Sequence, residues 1–214
     1  SDKAALKAVV DAEIAEWAGN WDVYEWDVIN ETRGNTLLQQ ILGYDEEAAW
    51  FQLAAANSLN PDAGLFINEN QIISAKSDSL QPGYYADRRD IYYDTIDRLI
   101  TNGAPIDGIG FQNRYKWERL DPAEAYNRLE EFGTRYGLQL AGTEFEIKDL
   151  APFIPGEYVR AKMTEETLTV YYSHALATGL NAWDYMEGDI SSLCYYDGTI
   201  KLNGLVWYYL HRIR

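Results

Sequence analysis

The sequence predicts an α/β fold, a parallel sheet with helices packed outside it. Two observations predict it. Stretches of helical and of strand spacing alternate without a break, α-β-α-β-α-β-α-β-α-β-α, and such alternation places helices between parallel strands. The connections are also lopsided. Links from helix to strand are short, at 20, 60–64, 102–105, 137 and 179, whereas links from strand to helix are long, at 32–45, 69–84, 112–121, 145–164 and 186–204. Long loops on one face suit a (β/α)8 TIM-barrel enzyme, whose site is built from the loops after its strands. A closed barrel has eight strands and about 250 residues. Here five strands are legible in 214 residues, so 1–214 reads as one partial barrel domain. On strand count alone an open, doubly wound sheet is the alternative. That fold binds dinucleotides through a Gly-rich loop after its first strand, and none is present. Gly108-Ile109-Gly110 lies inside a strand and lacks the third glycine in register.

The elements follow in order. Leu6, Val9, Val10, Ile14 and Trp17 recur at helical spacing, and Gly19-Asn20 stops that helix. A strand covers 23–29, a helix 46–58 ahead of Pro61, and a strand 65–67. A helix over 85–100 stops at Gly103, and a strand follows at 106–111. Asp121-Pro122-Ala123-Glu124 reads as an N-cap, a proline at the first helical position and an acid at the third. That helix ends at Gly137, and Leu138 opens the strand leading to Glu144. A helix over 165–177, a strand over 180–185 and a closing helix over 205–213 complete the chain. His174 and His211 fall inside helices and read as structural, as do Tyr92-Tyr93 and Tyr171-Tyr172.

Composition narrows the function. A net charge of −16 disfavours nucleic acid and anionic membrane as partners. It would repel an acidic polysaccharide unless a local basic patch intervened, and it suits a neutral sugar. Seven Trp and seventeen Tyr supply flat faces on which sugar rings stack, although most aromatic side chains serve the core. Cys194 is the only cysteine, so no intrachain disulfide forms. No apolar run approaches the roughly 20 residues of a membrane span. No signal peptide is visible at Ser1, and Ser1-Asp2 reads as either a processing or a cloning junction. No His/Cys cluster has metal-ligand spacing, so neither a metal nor another cofactor is expected.

The chemistry rests on two glutamates, each expected to close a strand. Glu31 ends Trp26-Asp27-Val28-Ile29-Asn30-Glu31, and Glu144 stands in Leu140-Ala141-Gly142-Thr143-Glu144-Phe145-Glu146. Three βα units separate them, which predicts positions across a barrel. A retaining glycosidase needs two carboxyls about 5–5.5 Å apart, one as nucleophile and one as acid then base. Asn30 precedes Glu31, where an amide can hold a sugar 2-hydroxyl. Asn68-Glu69-Asn70, Gln112-Asn113-Arg114 and Trp183-Asp184 close the other strands with polar or aromatic groups on the same face.

These motifs resemble glycoside hydrolase family 10, the endo-β-1,4-xylanases. Residues 26–31 resemble its acid/base strand, 65–70 the next strand, 106–112 its sixth strand and 143–146 the nucleophile strand. Asp197-Gly198 and the aromatic final helix resemble the family's ending. The resemblance implies the last five strands of a (β/α)8 barrel, starting at the helix before the fourth. It implies Glu31 as acid/base, Glu144 as nucleophile, Asn30 as a 2-hydroxyl ligand, Asn68 and Gln112 at the substrate, and Trp183 under the reacting sugar. It implies double displacement on β-1,4-xylan or a related neutral β-glycan, and a secreted, extracellular protein. One residue departs from the pattern: Arg114 stands where the family carries histidine. Its fixed charge suits either a pair with Glu144 or a contact with a substrate substituent. A second departure is that the first three strands are absent, which predicts a complementary N-terminal barrel fragment or second chain. A non-catalytic carbohydrate-binding relative and a β-glucanase of the same clan are the alternative readings.

Overall fold

The computed structural model describes residues 2–186 and 191–212. They form two compact units, residues up to Glu69 with Arg89–Gly110, and Asn70–Arg88 with residues from Phe111 onward. Among the described residues there are six strands rather than five, and the strand pairings recorded are parallel.

In the first unit, α1 (Asp2–Asn20) stops where Gly19-Asn20 predicts. Only Ala18 of it is buried, while Val9 and Trp17 stay exposed. The helical spacing is real, but the stripe it draws is not covered within the unit. β1 (Glu25–Asn30) pairs with β2 (Gly64–Glu69), Glu25 opposite Gly64 and Asn30 opposite Asn68. β2 is buried along almost its whole length, whereas β1 buries only Ile29. A strand flanked on one side alone keeps a row of backbone N–H and C=O groups without a strand partner. α2 (Leu37–Leu42) lies in a link expected to be loop. It is six residues long, too short for a periodic pattern to declare itself. α3 (Glu46–Asn57), α4 (Tyr84–Thr101) and β3 (Gly108–Phe111) fall close to expectation. Asp107 ties β3 to β2 twice: its N–H donates to Leu65 O at 2.9 Å, and its carboxylate accepts from Leu65 N at 2.9 Å. A Cβ on Gly108 would lie 2.1 Å from the Phe66 ring, so this glycine leaves space for a core phenylalanine and has no phosphate to cradle.

The half-buried Glu25 carries a testable consequence. Burial raises its carboxyl above the usual range, so the folded chain holds its proton more tightly than the unfolded chain does. Stability from this group is therefore full below the unfolded value near 4.5 and is lost as pH rises through the folded value. Glu25→Gln is expected to raise Tm at pH 7 and to leave it nearly unchanged at pH 4, measured by thermal unfolding at both.

In the second unit, α5 (Pro122–Tyr136) is the best-forecast element. The Asp121 carboxylate accepts from Ala123 N at 2.8 Å, Pro122 opens the helix, and Gly137 closes it at φ 64°. Asp121→Ala is expected to cost about 1 kcal/mol. At roughly 2–4 °C per kcal/mol for a chain of this size, a melt resolves it. β4 (Arg114–Tyr115) is the unforecast strand, and two residues leave no period to read. β5 (Gln139–Ile147) runs past Glu144, which sits inside the strand and does not close it. β4 and β6 (Ala177–Ala182) both pair with β5.

α6 (Glu157–Ser173) begins eight residues before its expected start and ends before His174. Gly156 and Pro155 mark the true beginning, and the chain is extended at His174, so this histidine follows the helix and does not lie inside it. Its ring is buried, with Nε2 3.1 Å from Glu130, and a Cβ on Gly133 would lie 3.0 Å from it. Filling that notch turns the chain early, and Gly179, expected to be a helix stop, becomes part of β6. α7 (Leu202–Arg212) packs on α6, and Trp207 meets Phe145 of β5 at 5.7 Å. Residues 187–190 of the last long link and Ile213 of the closing helix lie outside the described residues. The core of this unit gathers Phe111, Leu129, Phe132, Leu140, Leu168 and Tyr171, all but closed to solvent.

Candidate active site

The residues named from sequence fall into two groups, one in each unit. In the first, β1 delivers Asn30 as its last residue and Glu31 just after it. Glu31 adopts φ 57°, a left-handed conformation that costs a non-glycine residue about 1–2 kcal/mol. Hydrogen bonds hold it there. Its N–H donates to Asn68 O at 2.9 Å, and its own C=O accepts from Gly34 N and Asn35 N at 3.0 and 2.8 Å. Its carboxylate accepts from Asn35 Nδ2 at 3.1 Å. Asn68, fully buried in β2, donates its amide to Asn30 Oδ1 at 3.2 Å and Asp27 Oδ2 at 3.3 Å. The buried carboxylate of Glu69 accepts from Thr32 Oγ1 at 3.0 Å and Arg33 N at 2.9 Å, pinning the residues after Glu31. Asn30, Glu31 and Asn68 are thus brought together.

In the second unit, Glu144 and Glu146 stand two apart on β5, and alternation sends both to the same face. β4 places Arg114 opposite Glu146. Its guanidinium gives both Nε (2.9 Å) and Nη2 (2.6 Å) to Glu144 Oε2, and Nη1 to Glu146 Oε2 at 3.3 Å. The other oxygen of Glu146 pairs with Lys148 at 2.5 Å. Two carboxylates and two cations alternate, so the charges balance where Glu146, 1 % exposed, is cut off from water. The Arg114 guanidinium lies 4.1 Å from the centre of the Trp183 ring, and Trp183 remains 51 % exposed. Such a contact is worth about 0.5–2 kcal/mol. The pair with Glu144, one of the two roles the sequence left open for Arg114, is formed.

Gln112 follows β3 and is buried, and its C=O accepts from Glu144 N at 3.1 Å. Next to it, Asn113 is left-handed at φ 56° and buried. Its Nδ2 donates to the hydroxyl of Tyr171 at 2.5 Å, while its Oδ1 is buried with no hydrogen-bond partner, an arrangement that costs about 1–3 kcal/mol. Burial pushes the Tyr171 hydroxyl well above the ordinary phenol range, and so keeps it protonated at any working pH.

Several residues of these groups were not among the sequence candidates, and four of them show why. Glu146 had a signal, its two-residue offset from Glu144 along a strand. Glu69 stood in a quoted motif but took no role. Asn113 likewise stood in Gln112-Asn113-Arg114 without a role, and Asn35 had no signal, because the parts of both depend on backbone conformation.

Residues 1–192 match the family model of glycosyl hydrolase family 10. Endo-1,4-beta-xylanase A of Phanerodontia chrysosporium is 27% identical over 176 residues, which take in 77% of this chain and 39% of that protein. Endo-1,4-beta-xylanase B of Thermotoga neapolitana is 30% identical over 133 residues, 56% of this chain and 33% of that one. The chain thus spans between 33% and 39% of the length of these two relatives. Among solved structures, xylanase 10B from Thermotoga petrophila RKU-1 in complex with xylobiose superposes with a TM-score of 0.74 at 18% identity, over 95% of this chain and 64% of that one. An endoxylanase from a sugarcane soil metagenome superposes with a TM-score of 0.76 at 21% identity, over 97% and 68%. Both likenesses are in fold, and each leaves about a third of the solved chain without a counterpart here. The chain belongs to glycosyl hydrolase family 10 and carries part of that family's barrel.

Proposed function

We propose that this chain is the catalytic part of a secreted retaining glycoside hydrolase that cleaves β-1,4-xylan once the remainder of a barrel is supplied. The observation that carries the reading is the Glu144–Arg114 ion pair beside half-exposed Trp183, a carboxylate gripped by a guanidinium next to a flat aromatic face. In the first step the carboxylate of Glu144 attacks the anomeric carbon. The bond to the leaving oxygen breaks, and Glu31 gives that oxygen its proton. In the second, Glu31 takes a proton from water, the water oxygen attacks the anomeric carbon, and Glu144 is released. Asn30 serves the 2-hydroxyl, with Asn68 holding its amide.

The remainder of the barrel docks on the outer edge of β1, in this proposal. Among the described residues β1 pairs only with β2, and α1 beside it leaves Val9 and Trp17 in solvent. An open edge with apolar neighbours is a template for another strand.

The test uses a 2-deoxy-2-fluoro-β-xylobioside with an activated leaving group, mixed with this chain and the missing βα units. A glycosyl adduct on the peptide bearing Glu144, seen by mass spectrometry, is the expected result. Hydrolysis with no adduct, or an adduct elsewhere, overturns the mechanism. Xylan and mixed-linkage β-glucan are offered in parallel, and faster release from the glucan makes this a β-glucanase. A second reading, sugar binding without turnover, draws on the two Arg114 donors fixed on one oxygen of Glu144. Binding of xylotriose with neither adduct nor hydrolysis would establish it.

A further inference from the structure

The hydrogen bonds from β5 to the segment 112–115 carry a slip of one residue. Glu144 N donates to Gln112 O, Glu146 N to Asn113 O, and Lys148 N to Tyr115 O, at 3.1, 3.3 and 2.8 Å. A regular ladder that starts from the first of these bonds would continue to residues 114 and 116. The partner instead advances one residue while β5 advances two, and it then resumes in step. A one-residue slip moves every later side chain to the opposite face. It decides whether residue 113 or residue 114 stands beside the carboxylates of β5.

The extra residue lies on β5, which also slips against β6 between Gly142 and Phe145, and across from it Asn113 makes a left-handed turn at φ 56°. Three features hold that turn. Asn113 Nδ2 donates to the hydroxyl of Tyr171, which reaches in from α6, at 2.5 Å. Gly142 of β5 leaves the room: a Cβ there would lie 2.7 Å from Asn113 Nδ2 and 3.1 Å from Tyr171 Cζ. Asparagine tolerates the left-handed region better than other side chains do. The arrangement leaves Asn113 Oδ1 buried and unpaired, so it is not one that stability alone would favour.

We propose that Asn113, pinned by Tyr171, is a positioning residue whose left-handed turn, opposite the slip in β5, aims Arg114 at Glu144. The catalytic consequence rests on the function proposed above, whereas the placement of Arg114 does not. The pair of readouts separates the two.

The first readout is the 19F spectrum of the full chain labelled with 5-fluorotryptophan. The Trp183 line is assigned with Trp183→Phe, and Arg114→Met marks its position once the guanidinium is gone. Asn113→Ala, which loses the amide and strains the left-handed turn, is expected to bring the line to the Arg114→Met position. Asn113→Gly, which keeps the turn accessible, is expected to move it less than half as far. Tyr171→Phe, the loss of one oxygen, is expected to move it in the same direction. The second readout is turnover in the completed barrel. Asn113→Ala is expected to lower kcat by about 10-fold or more with KM within about threefold, as for misplacement of a reacting group by a fraction of an ångström. Glycine at 113 is expected to recover most of that loss.

A Trp183 line that stays in place in a folded Asn113→Ala chain overturns the proposal, as does a glycine variant as disruptive as the alanine one. Should the alanine variant not fold, an unmoved line in Tyr171→Phe overturns it equally. Lines that move as expected, beside a wild-type barrel with no turnover, refute the proposed function and leave the placement of Arg114 standing.

Discussion

In the completed barrel, and on the mechanism proposed above, Glu144→Gln is expected to abolish hydrolysis, lowering kcat on the order of 10⁴–10⁶-fold, the scale seen when a covalent nucleophile is removed. The amide is nearly isosteric, so the loss reports chemistry rather than packing. It also strips Arg114 of the charge to which it gives two donors. A nucleophile is distinguished from an electrostatic bystander by rescue. Glu144→Gly with added azide is expected to yield the α-glycosyl azide, because a small external nucleophile then attacks the face the carboxylate left open. Product anomericity by NMR decides it. A β-product, or no rescue with an activated substrate, assigns the nucleophile elsewhere. Glu31→Gln supplies the contrast. Its loss should be smaller, about 10²–10⁴-fold, and smaller again for leaving groups that need no proton.

How much of this was legible beforehand divides along physical lines. The α5 cap and its glycine stop, the α1 boundary and the parallel βα order were readable, because each depends on residues adjacent in sequence. The start of α6 was not. Its helical face is interrupted by Arg160, which turns inward to bond Pro155 O and Asp149, so the apolar period is broken where the helix begins. Its end was misread because His174 leaves the helix to fill the notch at Gly133, a tertiary demand with no local trace. The two carboxylates were visible as residues, yet their settings were not. Glu31 is held by its left-handed turn and by Asn35, and Glu144 by a guanidinium delivered through a two-residue strand. Both devices lie in segments too short to show a period.

Arg114→Met is expected to be the most destabilising change at the site. The guanidinium separates two carboxylates on one face of β5, and its removal leaves their charges facing each other across a strand repeat. Neither can retreat: the side chains of Glu144 and Glu146 are 10% and 1% exposed. Breaking a buried pair from one side costs about 3–5 kcal/mol, and the partly open Arg114 places the expected value near the lower end. At roughly 2–4 °C per kcal/mol, Tm should fall by roughly 6–12 °C. Lysine does not restore it, because one ammonium cannot give parallel donors to Glu144 and reach Glu146 as well. Histidine, the residue this position resembles in the family, has two ring nitrogens for the three contacts made here, so Arg114→His should recover only part of the loss. The decisive arm adds Glu146→Gln to Arg114→Met. With one carboxylate neutral the repulsion is gone, so the double variant should be more stable than Arg114→Met alone. Additive losses in the thermal melt would mean that Arg114 acts by packing on Trp183 and not by balancing the two charges.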